Sequence, residues 1–98
     1  MDPKIEAIVN QLKQYNPDKI ILFGSWAYGK PHEDSDVDVI LIKETRDSFK
    51  ERMKKVQMLL RTTTAVDAFV FTPKEFEKAK NDNLLVQEAV QKGKVVYG

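Results

Sequence analysis

The chain has 98 residues, 42% of them hydrophobic and 32% charged, which suits one soluble domain over residues 1–98 with a single core and leaves no room for a second. Sixteen Lys and Arg against fifteen Asp and Glu leave a formal charge of +1, and no basic run builds a stripe along a nucleic-acid backbone, so long DNA or RNA is not an expected partner. Cysteine is absent and His32 is the only histidine, which excludes disulfides and thiolate metal sites; with no signal-like amino terminus and no apolar run near the roughly 18 residues of a membrane span, a cytoplasmic location is expected.

Asp2 and Pro3 make an N-cap and first helical position, and Ile5, Ile8, Val9 and Leu12 follow as one apolar stripe of a helix that Asn16-Pro17 ends near Tyr15. Ile20 to Phe23 reads as a short strand buried on both faces, left at Gly24. Ser25 to Tyr28 can form one helical turn, and the polar stretch Gly29-Lys30-Pro31-His32-Glu33-Asp34 reads as an exposed loop with solvated charges. A second strand spans Asp36 to Ile42. Ser48 with Glu51 is a capping box, and Phe49, Met53, Val56 and Leu60 recur at helical spacing as a core-facing stripe, with Lys54, Lys55 and Arg61 on a solvated face. After Thr62-Thr63-Thr64 a third strand runs from Ala65 to Phe71, and Thr72, Pro73 and Glu75 repeat the helix-start chemistry. Asn81-Asp82-Asn83 interrupts, Leu84 to Gln91 can be helical, Gly93 suits a C-terminal cap, and Val95-Val96-Tyr97 either adds an edge strand or packs on the core. Together these elements make an α/β (α+β) architecture, helices against a small sheet.

Three groups of residues carry chemistry. A strand projects alternate side chains on one face, so Asp36 and Asp38 stand together about 6 to 7 Å apart, where mutual repulsion calls for solvent or a cation. Asp67 is the anomaly in an otherwise apolar strand; if that strand neighbours the second, it joins them as a cluster of hard oxygen donors suited to Mg²⁺ or Mn²⁺. Magnesium held by few carboxylates commonly shares its shell with phosphates, which points to a nucleoside triphosphate. Gly24-Ser25 supplies the anion-binding half, the glycine allowing close backbone approach and the serine adding a hydroxyl. Trp26 and Tyr28 could stack on a nucleobase, although packing is the commoner use of aromatics beside a sheet.

In order and spacing, Phe23-Gly24-Ser25-Trp26-Ala27-Tyr28-Gly29, Ser35-Asp36-Val37-Asp38-Val39, and Val66-Asp67 followed by Phe71-Thr72-Pro73 resemble the minimal nucleotidyltransferases of the DNA polymerase beta superfamily. The resemblance spans essentially the whole chain. It implies the nucleotidyltransferase fold, a small mixed sheet flanked by helices, with Gly24 and Ser25 on the triphosphate of ATP and Asp36, Asp38 and Asp67 holding two divalent ions. Asp67 is the implied general base. Many members carry arginines in the turn after Gly-Ser where this chain has Trp26 and Tyr28, and Lys30 is the nearest substitute cation. Many minimal members look like antitoxins that silence a HEPN-domain toxin by adenylylating a tyrosine. A Mg²⁺-dependent protein adenylyltransferase with such a partner is therefore the expected function, against contact-only neutralisation by a nucleotide-binding module or nucleotidyl transfer to a small hydroxylated molecule.

Overall fold

A computed structural model describes residues 1–31 and 35–98; His32, Glu33 and Asp34, expected above as solvated loop charges, lie outside the described residues. The elements are α1 (Pro3–Leu12), extended by a 3-10 turn Lys13–Tyr15, β1 (Lys19–Phe23), α2 (Ser25–Tyr28), β2 (Val37–Ile42), α3 (Phe49–Leu59), β3 (Val66–Phe71), α4 (Pro73–Asp82), α5 (Leu84–Lys92) and β4 (Lys94–Tyr97). The four strands form one mixed sheet in the order β3-β2-β1-β4. β1 runs antiparallel to both β2 and β4, whereas β2 and β3 are parallel, joined by the α3 crossover.

Local chemistry sets the helix ends. Asp2 Oδ1 accepts from the Lys4 amide at 2.7 Å ahead of Pro3, and reciprocal capping boxes open α3 at Ser48/Glu51 and α4 at Thr72/Glu75. Asn83 ends α4 and at the same time caps α5 by accepting from the Leu85 and Val86 amides. The chain turns from α1 into β1 through Asn16 at φ 58°, a left-handed conformation that asparagine tolerates.

Every strand of the sheet's centre is apolar on both faces because helices cover both. On one face Ile20, Leu22, Val37, Val39, Leu41, Val66, Ala68 and Val70 meet α1 and Val56 of α3. On the other, Ile21, Phe23, Ile40 and Ile42 meet Phe76 and Ala79 of α4 and Val86 and Ala89 of α5. The expected core stripe of α3 needs correction. Phe49 is 52% exposed and Met53 only half-buried, while Arg52 is 7% exposed. The reason is a fork of contacts: Arg52 Nη1 and Nη2 donate to the Glu75 carboxylate at 2.6 and 3.3 Å, Nε to Asp47 O at 2.9 Å and Nη1 to Val70 O at 3.3 Å, which rotates α3 toward its arginine. Gly93 is the C-terminal cap of α5 as expected, its N–H donating to Ala89 O, with an extended backbone (φ −73°, ψ 171°). Glycine is required there by closeness: an added Cβ would overlap Ala89 O and lie 2.9 Å from Ile21 Cγ2 and 3.0 Å from Leu22 O. The carboxyl-terminal segment is an edge strand, with Val96 packed on the α1-side core.

Candidate functional site

The parallel register puts Asp38 of β2 directly beside Asp67 of β3, and the antiparallel register puts Phe23, the residue before Gly24, on its other side. Neighbouring strands stand about 4.8 Å apart, so the two carboxylates are side by side on the face that α4 and α5 cover further along. Asp36, two residues earlier, belongs to the same face by alternation and is exposed at the approach to β2. Asp67 is exposed and Asp38 half-buried.

Charge crowding is visible at Asp38. Burial first, then the negative charges of Asp67 and Asp36 and a hydrogen bond shared with Asp67, push its carboxyl from 3.8 up to about 6, with a further push from Glu88 of α5. An all-carboxylate donor set whose members repel one another is the chemistry of a hard divalent cation such as Mg²⁺ or Mn²⁺, and the residues fit one in that sense. Among the described residues no three acidic or histidine side chains are gathered tightly enough to hold a metal ion as they stand.

Gly24 forms the other wall. Its φ is 74°, in the region that L side chains avoid, and a Cβ there would overlap Asp38 Oδ2. The bend therefore approaches the carboxylate as closely as backbone can. The one-turn helix α2 then begins with Ala27 N–H donating to Gly24 O at 3.0 Å and Gly29 N–H to Ser25 O at 2.9 Å. Trp26 ties this bend to the start of β2: its indole Nε1 donates to Ser35 O at 3.1 Å, one residue before Asp36, and its ring packs against the core with Lys4 Nζ 5.5 Å from the ring centroid. Trp26 is thus a packing residue. Lys30 is exposed two residues beyond Tyr28.

The helix over Leu84 to Gln91 is found as α5 (Leu84–Lys92), but sequence reasoning did not place it at the site. Tyr28, 44% exposed, has its phenol held above the ordinary value of 10.0 by partial desolvation and then by the Glu88 carboxylate, while Lys92 Nζ lies 5.6 Å from the Tyr28 ring centroid. Glu88 and Lys92 stand one helical turn apart, some fifty residues beyond the Asp36-Val37-Asp38 motif, and nothing local in the sequence marks them. Clefts of about 340 Å³ beside Arg52, Glu75 and Phe71 and about 380 Å³ beside Met1, Trp26 and Val95 are lined by neither Asp38 nor Asp67. Their walls offer no convergent charge of the kind that the carboxylate face does, and the latter is the candidate site.

An open face of strand-borne aspartates beside a glycine-serine bend, on this mixed sheet, is the arrangement of the nucleotidyltransferase class. The chain belongs to the polymerase beta nucleotidyltransferase family, which it matches over residues 6–98. It is 36% identical over 53 residues to a candidate protein adenylyltransferase of Methanocaldococcus jannaschii, MJ0141; the matched region covers 54% of each protein, about half of that relative's length. Its fold is similar to a solved toxin-antitoxin with AMP-PNP (TM-score 0.64, 27% identity, 95% of this chain and 73% of that one). Similar folds also occur in a nucleotidyltransferase structure from Sulfolobus solfataricus (0.63, 21%, 93% and 74%) and in the spectinomycin adenyltransferase AAD(9) of Enterococcus faecialis with ATP and spectinomycin (0.63, 12%, 97% and 54%).

Proposed function

We propose that this chain transfers the AMP moiety of ATP to a hydroxyl of a partner protein, a tyrosine of a HEPN-domain toxin, and so acts as the antitoxin of a two-component module. The observation that carries the chemistry is Asp38 placed between Asp67 on the parallel strand and the Cβ-less Gly24. The protein-adenylyltransferase name of the M. jannaschii relative and the toxin-antitoxin assembly of a structural relative support the acceptor class.

In this reading Gly24 brings the backbone of the bend against the triphosphate, and the Ser25 hydroxyl adds a donor. Asp36, Asp38 and Asp67 would hold the divalent ions, Mg²⁺ or Mn²⁺, which when bound neutralise phosphate charge and acidify a nearby hydroxyl. Asp67, the most exposed of the facing pair, receives the acceptor's hydroxyl proton as the acceptor oxygen bonds to the α-phosphorus and the bond to the departing pyrophosphate breaks. Asp38 stays ionised beside it once positive charge offsets the crowding.

Incubation with ATP, Mg²⁺ and the neighbouring HEPN protein tests this. An added AMP mass on the partner is expected, lost in Asp36→Ala/Asp38→Ala; no gain with the wild type, or an equal gain with the variant, refutes it. A contact-only antitoxin is the second reading, favoured by the lack of any basic residue in α2. It predicts that the double variant still silences its partner.

A further inference from the structure

Resting on that proposed reaction, we propose that Lys92 is the positioning cation for the triphosphate at the Gly24-Ser25 bend, delivered from α5 instead of from the turn itself. The bend, Ser25-Trp26-Ala27-Tyr28, has no positive side chain of its own. Its last residue, Tyr28, is flanked by Glu88, near its phenol, and by Lys92, whose Nζ stands 5.6 Å from the ring centroid. The two α5 residues are one turn apart, so the helix presents both to the same aromatic.

The backbone under Lys92 is fixed. Gly93 seats the α5–β4 corner against Ile21 and Leu22 so closely that no Cβ fits, and Leu22 lies two residues before Gly24. From that anchored point the four-carbon lysine stem can move its ammonium between the Tyr28 ring and an anion on the bend. An exposed cation–π contact is weaker than a charge-assisted hydrogen bond to phosphate, so the arriving triphosphate wins the ammonium. Lys92 also offsets Glu88, whose charge would otherwise repel the ligand. The other nearby lysines serve less well: Lys94 lines the cleft with Met1, Asp2 and Trp26, and Lys30 sits in the exposed loop beyond the turn.

Isothermal titration of the intact chain with ATP and with AMP, both in Mg²⁺, for wild type, Lys92→Gln, Lys92→Arg and Asp36→Ala/Asp38→Ala, tests the inference. Lys92→Gln should weaken ATP about tenfold and AMP by under about twofold, with the circular dichroism spectrum retained, since the contact is to charge and not to the nucleoside. Lys92→Arg should restore most of the ATP affinity. In turnover, KM for ATP should rise with kcat nearly kept, and the salt dependence of ATP binding should flatten. ATP binding by Lys92→Gln equal to wild type, or equal losses for ATP and AMP, overturns the inference while leaving the reaction standing. A wild type that binds no ATP overturns both.

Discussion

Arg52 is a guanidinium buried between α3, β3 and α4, and its counter-ion Glu75 is not buried: their side chains are 8% and 47% exposed. This asymmetry makes the two halves of one ion pair unequal under mutation. Glu75→Ala leaves a nearly solvent-free positive charge with only two carbonyl acceptors, Asp47 O at 2.9 Å and Val70 O at 3.3 Å. Removing one partner of a fully buried pair costs about 3–5 kcal/mol; the remaining carbonyls and the wet carboxylate bring the figure here to about 2–3 kcal/mol. Glu75 Oε1 also accepts from the Thr72 amide at 2.8 Å, closing the capping box. Losing that contact adds about 0.5–1 kcal/mol. The sum, about 2.5–4 kcal/mol, corresponds to a fall in Tm of about 10–30 °C for a domain of this size. Arg52→Met removes the buried charge and leaves a carboxylate that water can solvate, so it should cost less than half as much. Urea unfolding of both variants, read by circular dichroism, decides the matter. A Glu75→Ala loss below about 0.5 kcal/mol, or Arg52→Met proving the worse of the two, would show that the pair is an ordinary surface bridge.

Other perturbations should separate site from scaffold. Gly24→Ala must adopt φ 74° and drive its Cβ into Asp38 Oδ2, so nucleotide binding measured by titration should disappear while the circular dichroism spectrum persists; retained binding would refute the close approach. Trp26→Phe keeps the apolar packing but drops the 3.1 Å bond to Ser35 O, at a cost of about 1 kcal/mol in urea, and should weaken Mn²⁺ binding at the Asp36 approach; unchanged Mn²⁺ affinity would count against a positioning role. Asp38, raised from 3.8 to about 6, binds its proton more tightly folded than unfolded, so its contribution makes the protein lose stability as pH rises from about 4 to about 6, and divalent-ion affinity should rise through the same window. Glu75, lowered by the Arg52 hydrogen bond, acts with the opposite sign below the ordinary glutamate value, where stability falls as it is protonated. Asp38→Asn should abolish the first slope alone, and a slope that survives would assign it elsewhere.

What the sequence made legible depended on how local its cause was. Caps, the glycine-serine bend and the Asp-x-Asp face are written in residues within four positions of one another, and all of them stand where expected. The pairing of Asp67 with Asp38 was conditional on strand order, and only the parallel β2–β3 register, set by the α3 crossover, makes it definite. Periodicity failed on α3 because it ranks side chains by hydrophobicity, whereas Arg52 is drawn inside by four hydrogen bonds that a helical wheel does not contain. For the same reason Phe49, first in the apolar stripe, is left outside. Gly93 shows the strongest version of the effect. Its need for glycine comes not from its own φ but from the Ala89 carbonyl of the helix it follows together with Ile21 and Leu22, more than seventy positions earlier, and the contact with β1 holds the end of α5, with Lys92, near Tyr28 beside the bend. The placement of Glu88 and Lys92 is therefore a consequence of tertiary packing: α5 seats Val86 and Ala89 on Ile21 and Phe23 of β1, and only that docking brings its other residues toward Tyr28.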